Sequence, residues 1–225
     1  MPTKFDADLG ILKEKQLKMG ALAEQMIRGI SAVVVDREEQ LLDGVAASEE
    51  QMDVLQNEID EETVRLIAVH TPVAGDLRLL IVITRLNAEI ERIGDQVMNI
   101  AFYAKTLLKE DPLDGLAGIS ELGRRAREML AKGLDAFTHQ SGDLARSVIG
   151  TDDEVDQLHD QLFRELMRRA IGDAAVVSRV LELILIARAF ERIADHAVSI
   201  AEDVIYCVEG KDIRHVDDPG PGEPT

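Results

Sequence analysis

Four pairs of acidic residues spaced i, i+4 have the type and spacing to do chemistry: Glu49 and Asp53, Glu91 and Asp95, Asp152 and Asp156, Glu191 and Asp195. On a helix this spacing stacks two carboxylates on one face. Two like charges so placed destabilise a helix by about a few tenths of a kcal/mol, so the arrangement asks for a compensating reason or an innocent one. Oxygen-bearing side chains that remain open to water suit hard divalent cations or iron, with water filling the other coordination positions. Asn99, one turn after Asp95, would add an amide oxygen, and Ser199, at the corresponding place after Asp195, a weaker hydroxyl donor. His159 and His196 lie near the second set as possible further ligands or as groups behind them. A solvated acidic face is the default reading of any single pair, and it is the recurrence of four pairs, two per half in equivalent positions, that brings metal binding level with it. The residues alone leave both readings open.

Other constellations offer less. Cys207 falls on an apolar helical stripe and reads as a small core residue. Arg78, Arg85, Arg92, Arg188 and Arg192 read as helix-face charges balancing the acids. There is no strand–turn–helix nucleophile elbow and no glycine-rich phosphate loop. A di-metal redox enzyme would need inward-facing glutamates and a Glu-x-x-His pair on the acid-bearing helices, which these helices lack. The chemistry-bearing residues therefore show no catalytic constellation.

The elements that position the acids are helices. No proline occurs between Pro2 and Pro72 or between Pro112 and Pro219, and alanine, leucine, glutamate and arginine fill both stretches. Leu79, Ile83, Leu86, Ile90, Ile93, Val97, Ile100, Ala104 and Leu107 alternate steps of four and three, which predicts one helix with a buried stripe. Leu183, Ile186, Phe190, Ile193, Ala197, Ile200, Val204 and Cys207 predict a second. Leu9, Leu12, Gln16, Met19, Ala23, Met26, Ile30 and Val33 predict a third, with Gln16 the one polar intruder. Against these stripes, Glu91, Asp95, Glu191 and Asp195 lie on the outer side of their helices.

Glycine, proline and capping residues divide the chain into six helices. The first is predicted from about Lys4 to about Asp43 and the second from about Ser48 to Val69. HTPVAGDLR (70–78) then breaks the chain, with Asp76 able to cap a third helix that reaches about Lys109. A fourth runs to about Ile149. GTDD (150–153) opens the fifth, and IGDAA (171–175) separates it from the sixth. ERIGDQVMNIA (91–101) matches ERIADHAVSIA (191–201) at an offset of 100, and EEQMD (49–53) lines up with DDEVD (152–156) at an offset of 103. A duplication follows. The expected fold is all-α, with six long helices in two tandem three-helix bundles: residues 1–110, a linker at 111–118, residues 119–210, and a flexible acidic, Pro/Gly-rich tail at 211–225.

Composition narrows the setting. The 225 residues carry a net charge of −18, which disfavours nucleic acid and unassisted docking on anionic lipid. A single cysteine excludes a disulfide framework and fits a reducing compartment. The apolar stretch Leu79–Ile83 is far short of the roughly 20 residues of a membrane span. The N-terminus, MPTKFDADLG, lacks the apolar run of a secretory signal. A cytoplasmic protein is expected.

The duplicated ERIGD/ERIAD helices, each preceded by an acidic i, i+4 pair, together with HTPVAGDLR and the stretch DAFTHQSGDLARSVIGTDDEVDQLHDQLFREL (135–166), resemble the PhoU family of phosphate-uptake regulators. The likeness spans Phe5 to Gly210. It implies a cytoplasmic accessory protein of the high-affinity phosphate ABC transporter, often a homodimer, recruited to the membrane's inner face by protein partners. It further implies restraint of phosphate uptake and of the phosphate-sensing histidine kinase when phosphate is plentiful. The transporter's nucleotide-binding subunit and that kinase are the implied partners. The family's (E/D)xxxD metal pattern maps onto Glu49, Asp53, Glu91, Asp95, Asp152, Asp156, Glu191 and Asp195, with iron, zinc, magnesium or manganese compatible. Ser199 where Asn99 has its mate, and Gln96 where His196 has its mate, predict that the two sites differ. The residue-level alternative is a helical interaction module whose acids only keep it soluble.

Overall fold

A computed structural model describes residues 3–113 and 116–214. Its helices are α1 (Lys4–Val35), α2 (Leu42–His70), α3 (Ala74–Leu107), α4 (Ala117–His139), α5 (Gly142–Ile149), α6 (Asp152–Gly172) and α7 (Val177–Glu209). Six are long and α5 has eight residues. There is no strand among the described residues. Most of the expected tail, 215–225, and linker residues 114 and 115 lie outside the described residues.

Local sequence explains several helix ends. Thr3 caps α1: its hydroxyl oxygen accepts from the Asp6 N–H at 3.2 Å, and the Asp6 carboxylate accepts from the Thr3 N–H at 2.7 Å. Thr71, in the left-handed region at φ 44°, ends α2 just before Pro72. The N-cap of α3 is Val73, so Asp76 sits inside the first turn and favours it through the helix dipole without capping it.

Two expected helices are shorter than the sequence reading. The first stops at Val35 and the fourth at His139. Arg37 (φ 58°) and Gln140 (φ 49°) take left-handed backbone at the two breaks. These residues are 103 positions apart, so the duplication carries the same left-handed break twice. After it the halves diverge. In the first half one 3-10 turn at Glu39–Leu41 leads into the unbroken α2. In the second, Ser141 caps α5 by accepting from the Leu144 N–H, and a second break at Gly150–Thr151 starts α6.

The apolar stripes form the core. Every residue of the α1 and α3 stripes is buried, Gln16 included, and all of the α7 stripe except the half-buried Cys207. Helices α1, α2 and α3 pack together, as do α4 to α7, and the halves join where α3 crosses α7 and α1 crosses α4. Both crossings are antiparallel. Arg85 of α3 meets Asp203 of α7 at 2.9 Å, and Glu89 meets His196 at 2.7 Å. Along the other crossing, Gly20 of α1 faces Leu134 of α4, and Gly123 of α4 faces Ser31 of α1. These two contacts exchange under the 103-residue offset, so the repeats face each other about a pseudo-twofold axis. A Cβ on Gly123 would stand 2.8 Å from the Ser31 hydroxyl and 3.1 Å from the Phe190 ring. Only glycine permits that approach.

Candidate metal centre

Each half brings its two acidic pairs together on adjacent helices: α2 and α3 in the first, α6 and α7 in the second. In the second half, one oxygen each from Asp152, Asp156 and Asp195 lies within 4.8 Å of the others. The break at Gly150–Thr151 puts Asp152 at the first residue of α6, directed against α7. Its Oδ1 is buried and has no hydrogen-bond partner among the described residues. Burial, then the charges of Asp156 and Asp195, push the Asp152 carboxyl up to about 6. Asp195 is raised by burial and then by Glu191 and Asp156, against the pull of His196 and Arg192.

The first half gathers the same residues less tightly. Glu49 sits about two turns inside continuous α2, where its mate Asp152 begins a helix. Burial, then Asp53, Asp95, Glu50 and Glu91 in turn, raise its carboxyl. Glu91 is raised by burial, then by Asp95 and Asp53. These mutual effects place the four acids within electrostatic reach of one another. Among the described residues, no three of them close to the spacing of the Asp152 cluster.

The remaining candidates point elsewhere. His196 Nδ1 pairs with Glu89 across the α3–α7 crossing at 2.7 Å, and its positive form opposes, without cancelling, the rise of Glu91 and Asp195. Ser199 donates its hydroxyl to the Asp195 main-chain carbonyl at 3.2 Å. Asn99 lines a groove between α3 and α7. His159 is half-buried on α6 and contributes no ring nitrogen to the Asp152 cluster. Glu191 acts on Asp195 by charge and lies outside the close threesome.

The sequence reading missed two polar ties beside these sites. Buried Asn87 donates to the Gln56 carbonyl at 3.0 Å and to the Asp60 carboxylate at 2.9 Å, fixing α3 against α2. Asp203, almost fully buried, accepts from Arg85, whose guanidinium also lies 5.2 Å from the Tyr206 ring centre. The only trace of Asn87 in the sequence is a polar residue beside the α3 stripe.

The donor set fits a hard cation. Three carboxylates converge, one holds an unpartnered buried oxygen, and the group remains open to water on one side. Fold and site together define a class: a tandem pair of antiparallel helical bundles, each bearing acidic pairs on its outer face. Residues 17–104 and 119–204 both match the PhoU domain, and the chain belongs to the PhoU family. It is 36% identical over 214 residues to the phosphate-specific transport system accessory protein PhoU homolog of Pseudomonas aeruginosa, covering 95% of this chain and 88% of that one. The corresponding protein of Escherichia coli is 33% identical over 213 residues, with the same coverage. The crystal structure of PhoU from Pseudomonas aeruginosa superposes with a TM-score of 0.88 at 36% identity, over 92% of this chain and 100% of that chain. The phosphate transport system regulatory protein PhoU from Streptococcus pneumoniae gives 0.86 at 25% identity, over 93% and 99%. These relatives bear the names of accessory and regulatory proteins and not of enzymes.

Proposed function

We propose that this protein regulates phosphate uptake as a metal-binding adaptor of the phosphate-specific transport system. The observation that supports the metal reading most strongly is the buried, unpartnered Asp152 Oδ1 within the Asp152–Asp156–Asp195 cluster. Asp152, Asp156 and Asp195 hold the ion in the second half, with Glu191 adding charge beside them. Glu49, Asp53, Glu91 and Asp95 form the looser counterpart. Bound there, a magnesium, manganese, zinc or iron ion supplies concentrated positive charge and open coordination positions on an otherwise acidic surface. The long outer helix faces supply contact area for the transporter's nucleotide-binding subunit and for the phosphate-sensing histidine kinase. Both contacts restrain their targets when phosphate is plentiful. The protein works in the cytoplasm and as a homodimer; no described helix is long and apolar enough to cross a membrane.

The test compares wild type with the Asp95→Ala/Asp195→Ala double variant, purified without chelator. Loss of bound metal with helix content intact supports the adaptor reading. A wild type that takes up no magnesium, manganese, zinc or iron on titration leaves a helical interaction module working by shape and charge alone.

A further inference from the structure

The pseudo-twofold axis through the α3–α7 crossing gives each contacting position on one side a mate on the other, 100 residues away. On one side the contacts are closed by paired polar and charged groups. Glu89 holds both Arg92 (2.9 Å) and His196 (2.7 Å), and Arg85 holds Asp203. On the other side each acidic partner is gone. Ala189 stands where Glu89 has its mate, Tyr103 where Asp203 does, Gln96 where His196 does and Leu185 where Arg85 does. Arg192, the mate of Arg92, keeps its charge and loses its carboxylate. Arg188 adds a second guanidinium where the first half has Ala88.

The result is an open groove of about 230 Å³ between the C-terminal half of α3 and the N-terminal half of α7. Arg188, Arg192, Gln96, Asn99 and Tyr103 line it together with Leu185 and the buried Ala189, and no carboxylate is among the lining residues. Neither arginine forms an ion pair with any described residue. Asp195, one turn beyond Arg192, belongs to the acidic cluster and does not line the groove. Like charges at i, i+4 cost a helix free energy that nothing in this groove returns. In a chain of net charge −18, two guanidiniums without a close ion-pair partner, facing Gln96, Asn99 and Tyr103 of the opposite helix, form a site for an oxyanion. Asp195 still draws on the charge of Arg192. Donors arrive from two helices and several directions, which suits a tetrahedral group better than a planar carboxylate.

We propose that this α3–α7 groove binds a phosphate group through Arg188 and Arg192, with Gln96, Asn99 and Tyr103 completing the contacts. The site is separate from the acidic clusters and needs no metal. Its phosphate comes either from the free ion or from a phosphorylated side chain.

The experiment uses the full chain stripped of metal by chelator and dialysed. Inorganic phosphate, O-phosphoserine and acetate are titrated in turn by calorimetry and phosphorus NMR. The expected result is saturable binding of phosphate or phosphoserine at about 1 mM or tighter, with acetate much weaker. The tighter of the two phosphate ligands identifies the source. Arg188→Gln/Arg192→Gln weakens binding by about tenfold or more. Ala189→Glu, which installs the carboxylate of the mirrored side and keeps both arginines, does the same. Arg92→Gln leaves binding unchanged. Helix content checks that each variant is folded, and Ala189→Glu carries the test if the double variant is not. Absence of saturable binding, equal binding of acetate, or full binding by a folded Ala189→Glu protein overturns the proposal. Metal-free protein keeps this outcome independent of the acidic clusters.

Discussion

At the scale of single residues, Gln16 and the Oδ1 atom of the half-buried Asp152 are both polar groups taken from water without a partner, and their positions give them opposite consequences. Asp152 is at a helix start beside two other carboxylates, where an ion can complete it. Its carboxyl is raised to about 6 in the folded chain, so the metal-free native state binds its proton more tightly than the unfolded chain does. Metal-free stability should therefore rise as pH falls from about 7 toward 5, and be lost again as pH rises through 6. Asp152→Asn should stabilise the metal-free protein by about 1 kcal/mol at pH 7, read by denaturant unfolding. Metal affinity should run the other way and drop as pH falls below 6, because the ion competes with that proton; titration with manganese at pH 5.5 and 7 reads it. Gln16 is fully buried in α1, and neither amide atom has a partner among the described residues. Gln16→Met keeps its length and removes the orphaned dipole. A gain of about 1–2 kcal/mol is expected in thermal or denaturant unfolding.

At the scale of elements, the helices were legible because their stripes run unbroken for eight or nine positions, and nearly every residue of those stripes is buried. The two breaks at Arg37 and Gln140 were not. A left-handed residue is usually signalled by glycine or asparagine, and here arginine and glutamine hold that backbone. A usable signal lay one residue further on, where Ser141 before Gly142 and Asp143 has the pattern of an N-cap. The pairing of the acids on neighbouring helices was legible from the repeat. The tighter closing of the second cluster was not, since it follows from the break at Gly150–Thr151, for which α2 has no counterpart. The antiparallel crossing of α1 and α4 depends on a residue with no side chain. Gly123→Val drives methyl groups into Ser31 and the buried Phe190, and should cost about 1–3 kcal/mol with metal content unchanged.

At the scale of the whole molecule, two copies of one helical unit face each other and have specialised in opposite directions. One side of the α3–α7 crossing is closed by paired polar and charged groups and the other is left open and cationic, while the tightest group of acids forms in the second half. The apolar core spans both halves without any contribution from the acidic clusters. Chelation should accordingly leave the helix content unchanged and lower the melting temperature only by the binding free energy of the lost ions. The central claim is that the paired acids hold metal, and metal content by plasma mass spectrometry tests it most directly, on untagged protein purified without chelator beside the Asp95→Ala/Asp195→Ala variant. The account predicts metal in near-stoichiometric amount in the wild type and its loss from a variant of unchanged helix content. Equal metal in the two proteins, or a wild type that remains metal-free after incubation with magnesium, manganese, zinc and iron, would contradict it.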